Sequence, residues 1–199
     1  RREGEEERSR RRGLKGMARR SPDPTTVLRS HRKGVQSVCF HGEDENLLFS
    51  GDADGLLKVW DLDKRRVVRD RRLFSRESGG VVCLSVVGGS GSDIGGGGEA
   101  SGFCRSTRLV AQGKDGVVKV WDAERLLQEG PHGDAGGTGD GDGDGSGPLA
   151  SFATGCYNFC RFSVSCLPHQ NQGDPLVALP GSDATVVEIW DAARGERVA

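Results

Sequence analysis

Three groups of residues in this chain have the types and spacing to do chemistry. His31, Ser50 and Asp54 form a His–Ser–Asp set within one short stretch, the parts from which a base-activated serine nucleophile is built. Cys156, Cys160 and Cys166 follow a C-x3-C-x5-C spacing, but a tetrahedral zinc site needs a fourth ligand and none stands at the required distance. Asp140-Gly141-Asp142-Gly143-Asp144-Gly145 mimics the opening of a calcium loop, yet Ser151 occupies the place where a bidentate Glu closes such a loop. Nucleotide loops and nucleophile elbows are absent from the sequence. The His–Ser–Asp set has a structural competitor. A Gly-containing hairpin followed by Trp60 can use the same three residues to satisfy one another's buried polar groups. That reading accounts for all three, so no catalytic, cofactor-binding or metal-binding residue is assigned.

Composition points the same way. Glycine supplies 32 of 199 residues and collects in two tracts that cannot pack. The remaining apolar residues fall in short runs separated by turns, the profile of an all-β protein with small strands. A formal net charge of -1 gives no global attraction to nucleic acid or anionic membrane. No apolar run approaches the roughly 18–20 residues that span a bilayer, and the N-terminus is a charge run rather than a secretory leader. An intracellular protein, nuclear or cytoplasmic, is expected, with its cysteines as reduced thiols. Cys39 and Cys83 lie inside strand patterns, where a thiol behaves as a small hydrophobe. Residues 1–23 read as a disordered, charged lead, and Met17, the sole methionine, is a candidate start.

The elements that must position these residues recur. Residues 47–61 (LLFSGDADGLLKVWD), 108–122 (RLVAQGKDGVVKVWD) and 176–191 (LVALPGSDATVVEIWD) each read as strand, polar turn with Asp, alternating strand, then Trp-Asp. Val35–Phe40 alternates as a further half-buried strand, Asp52–Gly55 is a hairpin turn of the Asp-Gly kind, and Val67–Val68 belongs to an outer fourth strand. Near-continuous hydrophobicity over Leu56–Asp61 suits a small sheet covered on both faces.

This unit resembles the WD40 repeat. The resemblance implies an all-β fold, a partial WD40 β-propeller of about three four-stranded antiparallel blades out of an expected seven. It also implies a hydrogen-bonded tetrad, which carries over to His31, Ser50, Asp54 and Trp60. The second copy keeps Asp115 and Trp121 but has Ala111 where Ser50 stood and no preceding histidine. The third keeps Trp190, with Asp183 as turn residue if the turn is one residue longer. The tryptophans stand roughly 60 and 70 residues apart, against about 40–45 per blade. The excess lies in Gly-rich insertions at 88–102 and 130–148, expected as disordered surface loops. Blades are expected at about 24–75, 76–128 and 149–199.

Outside the repeat, Pro22-Asp23-Pro24, the segment Val27-Leu28-Arg29-Ser30-His31, Asn158-Phe159-Cys160-Arg161-Phe162 and Leu176–Pro180 together resemble the ASTRA-associated protein 1 family, which includes the G-protein β-subunit-like protein 1. Ser30 departs from that family's usual Gly. The resemblance implies a non-catalytic protein-interaction scaffold. It would serve in the ASTRA assembly and chromatin remodelling, or in the co-chaperone system that matures phosphatidylinositol-3-kinase-related kinases. Its partners are other proteins, ASTRA or co-chaperone subunits, and not nucleic acid or membrane. Two alternatives belong to other classes. A heterotrimeric G-protein β subunit would need a coiled-coil helix, and residues 1–23 show no heptad. A cullin-ligase substrate receptor often has Arg two residues after Trp-Asp, where this chain has Asp63, Glu124 and Ala193. Arg29, Arg32 and Lys33 lie near a blade entry and read as a solvated loop in preference to a contact for an acidic partner.

Overall fold

The computed structural model describes residues 23–88, 107–128, 147–155, 160–165, 175–183 and 185–198. The charged lead with Met17, most of the Gly-rich insertions, the Asp140–Gly145 tract, Asn158, Phe159, Cys156 and Cys166 lie outside the described residues.

The described residues form three four-stranded antiparallel sheets. Blade 1 runs β1 (Val35–Phe40), β2 (Leu47–Asp52), β3 (Leu56–Asp61) and β4 (Arg66–Arg72). Blade 2 runs β5 (Val81–Val87), β6 (Arg108–Gly113), β7 (Val117–Asp122) and β8 (Ala150–Ala153). Blade 3 runs β9 (Ser163–Val164), β10 (Leu176–Pro180), β11 (Val187–Asp191) and β12 (Glu196–Arg197). Each blade is ordered as the chain is, so every strand pairs with its neighbour in sequence. The all-β blades read from the repeat are thus present.

The reason Asp follows Trp is visible in each copy. The Asp61 side chain accepts the N–H of Lys64 (2.8 Å), Asp122 that of Arg125 (3.1 Å) and Asp191 that of Arg194 (3.1 Å), so the carboxylate caps the turn that leaves the third strand. Hydrogen bonds from Lys64 also hold the Asp61 carboxyl below the usual carboxylate range. A second recurring bond, beside that turn, closes the open end of the hairpin: Leu62 N–H to Asn46 C=O (2.8 Å), Ala123 to Thr107 (2.9 Å) and Ala192 to Pro175 (2.9 Å).

Two features differ from the sequence reading. Ala123–Gln128 forms a short helix, α1, because Ala, Glu, Arg, Leu and Gln are strong helix formers. Asp122 caps it, and Ala123 and Leu126, three apart on one face, are buried. The blade boundary also moves. Ala150–Ala153, expected to open the third blade, pairs with β7 from Val117↔Ala153 to Val120↔Ala150 and completes the second. Both Gly-rich insertions therefore fall inside blade 2, one between β5 and β6 and one between α1 and β8.

The core lies between blades rather than within one. Phe49, Leu57 and Val59 of blade 1 pack against Leu84, Leu109 and Trp121 of blade 2. The opposite face of blade 2, with Val110, Val118 and Val120, packs on Phe162, Val177 and Leu179 of blade 3. In blade 2, which is covered on both sides, a side chain of a central strand thus meets a neighbouring blade whichever way it points, which is why Val117–Asp122 reads as a near-continuous hydrophobic run.

Candidate functional site

His31, Ser50 and Trp60 come together. The Trp60 indole N–H donates to Ser50 Oγ at 2.7 Å, and Ser50 Oγ stands 2.7 Å from His31 Nε2. The carboxylate that faces His31 Nδ1 accepts, so Nδ1 carries the ring hydrogen and Nε2 accepts from the Ser50 hydroxyl. Nδ1 meets a carboxylate oxygen of Asp52, not of Asp54, at 2.9 Å. The other oxygen of Asp52 accepts the N–H groups of Asp54 and Leu56, each at 3.0 Å, so one buried carboxylate both closes the hairpin turn and anchors the histidine.

The shift from Asp54 to Asp52 has a simple cause. Leu48, Ser50 and Asp52 share one face of β2, because strand side chains alternate. Leu48 is paired with Trp60, so the same face carries the indole. Asp54 lies past the end of the strand, at the turn, where its backbone carbonyl takes a hydrogen bond from Arg72 (2.6 Å). Strand parity was the signal that selects the correct carboxylate.

This arrangement does not work as a nucleophile. Ser50 and Trp60 are buried, as are the His31 and Asp52 side chains, and the indole N–H occupies the oxygen that would attack. Among the described residues, no group of three or more His, Cys, Asp or Glu is placed to hold a metal ion. Burial, with a smaller contribution from Cys83, pushes the Cys39 thiol up to about 12, and burial also raises that of Cys83; both stay protonated and unreactive at neutral pH. Arg29, Arg32 and Lys33 are exposed beside the His31 segment.

The second blade has only part of the network. Asp115 caps its turn by accepting the N–H of Val117 (3.1 Å). Trp121 is buried with its indole N–H unpaired among the described residues, and the Arg71 guanidinium of blade 1 lies 4.7 Å above its ring. Ala111 is in register with Lys119 as Ser50 is with Lys58, so a hydroxyl there would meet the indole as Ser50 meets Trp60. Ala111→Ser is therefore expected to raise stability by about 1 kcal/mol, read as a higher midpoint in urea unfolding at unchanged slope; a lower midpoint would refute the equivalence.

Blade 3 solves the same problem differently. Asp183 accepts the backbone N–H and the hydroxyl of Thr185 (2.9 and 2.8 Å). The Trp190 N–H donates to Glu188 (3.1 Å), whose other oxygen accepts from Arg197 (3.3 Å), and the ring stacks on Phe152 of blade 2 at 4.7 Å.

Gln112, which the sequence reading passed over, joins blades 2 and 3. Its side-chain amide donates to the Cys160 carbonyl (3.0 Å) and accepts the Phe162 N–H (3.3 Å), pairing with the chain as a strand backbone would. It holds the Cys160–Phe162 part of the motif singled out above. Gln112→Ala would leave both backbone groups without this partner and is expected to cost about 1–3 kcal/mol in denaturant unfolding; a loss below about 0.5 kcal/mol would show the bridge to be incidental.

Comparison with known proteins places these observations. Residues 22–61 match the family model described as WD domain, G-beta repeat. The chain is 28% identical over 167 residues to an ASTRA-associated protein 1 of Pyricularia oryzae, covering 80% of this chain and 30% of that protein. It is 30% identical over 109 residues to a DDB1- and CUL4-associated factor 11 homolog of Caenorhabditis briggsae, covering 53% of this chain and 16% of that protein. The chain thus spans less than a third of the length of these relatives. Among solved structures, the WD40 repeats of RRP9 align over 87% of this chain and 40% of that one, with a TM-score of 0.50 at 14% identity. That likeness concerns the fold. No helix among the described residues is long and apolar enough to cross a membrane.

Proposed function

We propose, on the premise that this is a WD40-repeat chain, that it is a non-catalytic protein-interaction scaffold of the ASTRA-associated type. The observation that carries the reading is where the reactive side chains go. His31, Ser50 and Asp52 are closed under Trp60, so what the blades offer to other molecules is shape and surface rather than a reacting group. The likeness to ASTRA-associated protein 1 across most of this chain favours partners from the ASTRA assembly or from the co-chaperones of phosphatidylinositol-3-kinase-related kinases, and with them a chromatin-linked, nuclear role.

A second reading, a substrate receptor for a cullin ligase, draws on the DDB1- and CUL4-associated factor 11 homolog. Asp63, Glu124 and Ala193 stand where such receptors often carry Arg, which weighs against it. Affinity purification of the tagged full-length protein, with mass spectrometry of what co-purifies, separates the readings. Recovery of ASTRA or co-chaperone subunits is expected. Recovery of a cullin adaptor without them would favour the second reading, and a Gγ chain would favour a G-protein β-like subunit. A turnover activity lost on His31→Ala or Ser50→Ala, in protein shown to remain folded, would overturn the scaffold reading.

A further inference from the structure

Residues 63–72 (DKRRVVRDRR) carry six cations and two carboxylates, in a chain whose formal net charge is -1. They form the turn after Trp60-Asp61 and then β4, the last strand in the sheet of blade 1. The equivalent strand of blade 2, Ala150–Ala153, has no charged residue, and that of blade 3 is only Glu196–Arg197. The basic rim is therefore a property of this sequence and not of the blade.

Strand pairing aligns the arginines. Directly opposed residues of paired strands share a face. Arg66, Arg69 and Arg71 stand opposite Asp61, Val59 and Leu57, and a bulge at Val59/Trp60 keeps them on one side despite their uneven spacing. Arg69 is held by the Leu127 carbonyl at the end of α1 (3.2 Å) and by the Val68 carbonyl (2.9 Å). A guanidinium has five N–H donors, so Arg69 keeps others for a ligand. Arg65 and Arg66 are exposed, and neither makes a side-chain hydrogen bond or ion pair among the described residues. The Asp61 carboxylate opposite Arg66 is taken by Lys64 (2.6 Å).

The backbone at Arg65 is a second, independent observation. Its φ is 51°, in the left-handed region that L side chains rarely adopt. Blade 3 makes the same turn with Gly195 at φ 67°, each residue directly preceding the one paired with the aspartate of Trp-Asp. A Cβ would fit at Gly195, with the nearest atom at 3.5 Å, so glycine there serves the backbone angle alone. Arginine at such an angle costs folding stability, and keeping it against that cost points to a task for the side chain. A charged edge that only discourages aggregation would need no arginine at that angle.

We propose that this rim binds an extended acidic segment of a partner protein, with carboxylates seated on Arg65, Arg66 and Arg69. That the partner is a protein rests on the scaffold reading above. Arginine forks match carboxylates, two N–H groups to two oxygens. Arg66 and Arg69 stand opposite Asp61 and Val59, two residues apart on β3, a step of about 6.5–7 Å. An extended partner meets that step with acids at alternate residues. A long polyanion such as RNA suits the rim less. The exposed loop Glu43-Asp44-Glu45 is tied to the same turn through Leu62 N–H to Asn46 C=O (2.8 Å) and repels it.

The test follows the anisotropy of a fluorescein-labelled Glu-Thr repeat peptide titrated with the full-length protein. Saturable binding that weakens with added salt is expected, with none for the Gln-Thr counterpart. Arg65→Gly is expected to weaken binding about threefold, and Arg65→Gly with Arg66→Gln about tenfold. Arg65→Gly should at the same time raise the urea midpoint, since the strained angle is relieved, so that lost binding is not lost folding. Arg32→Gln with Lys33→Gln, exposed cations off the rim, should leave the affinity unchanged. No saturable binding, equal losses from the two double variants, or tighter binding of an oligouridine of the same length would each overturn the proposal. So would an unchanged affinity in Arg65→Gly with Arg66→Gln. Unaltered protein that recovers ASTRA or co-chaperone subunits but ignores the peptide would overturn the rim and leave the scaffold reading intact. Peptide binding without those subunits would do the reverse.

Discussion

Trp60→Ala is expected to lower the unfolding free energy by about 3–5 kcal/mol, the range for truncating a large buried aromatic. Two losses combine. The indole is buried in blade 1, so its removal leaves a cavity that stiff neighbouring strands fill poorly. Its N–H is also a donor to Ser50, and without it the Ser50–His31–Asp52 chain loses one end. Trp60→Phe separates the two, since it keeps most of the volume and should cost about 1–2 kcal/mol. The companion pair tests the choice of carboxylate: Asp52→Ala should be severely destabilising, while Asp54→Ala should stay within about 0.5 kcal/mol. Equilibrium denaturation followed by tryptophan fluorescence and by circular dichroism reads all four. A loss under 1 kcal/mol for Trp60→Ala, or a larger effect at Asp54 than at Asp52, would mean that the network does not hold the blade.

Gly80→Ala is expected to be of comparable size, about 2–6 kcal/mol, for a reason of backbone rather than side-chain loss. Gly80 has φ of 86°, where an L side chain is strained by about 1–3 kcal/mol. A Cβ there would also stand 2.1 Å from the Ala53 carbonyl oxygen, at the point where the β2–β3 turn of blade 1 touches the start of blade 2. The two hairpins must separate to admit it, which adds about 1–3 kcal/mol. Gly79→Ala is the control. Its φ is 80°, but the nearest atoms its Cβ would meet belong to the Lys114 side chain, at 3.1 Å, so the strain should dominate. Equal losses at the two positions would show that the close approach is not the cause.

How much of this was legible in the sequence depends on whether a feature is local. The hairpins around Asp52–Gly55 and Asp115–Gly116, the alternation of Val35–Phe40 and the recurrence of Trp-Asp are properties of adjacent residues, and they locate the strands. The missing hydroxyl at Ala111 was legible as well, because it departs from the pattern set by Ser50 in the first copy. What eluded the reading is set by pairing across distance. The strand Ala150–Ala153 follows an insertion, and nothing within it says whether it completes the blade before or opens the blade after; its partner β7 decides. Gln112 reads as one polar residue in an apolar strand until Cys160 and Phe162 are placed beside it. Glu188 replaces a serine on another strand as the acceptor for tryptophan, a substitution invisible to alignment by position. The misassignment of Asp54 was avoidable, since counting residues along β2 from Ser50 leads to Asp52.

That both long insertions lie in blade 2 bears on how the chain folds. The entropy of bringing two chain ends together grows with the logarithm of the connection between them. The link between β5 and β6 is roughly threefold longer than that between β1 and β2, and the link from β7 to β8 roughly sevenfold longer than that from β3 to β4, together an extra closure cost of about 2–3 kcal/mol. Blade 1 has short connections throughout and hence the lower contact order, which favours early formation. Once formed, its face of Phe49, Leu57 and Val59 is a ready apolar surface on which β5 to β8 collect, so that the slower closures of blade 2 are made against a template instead of in open chain.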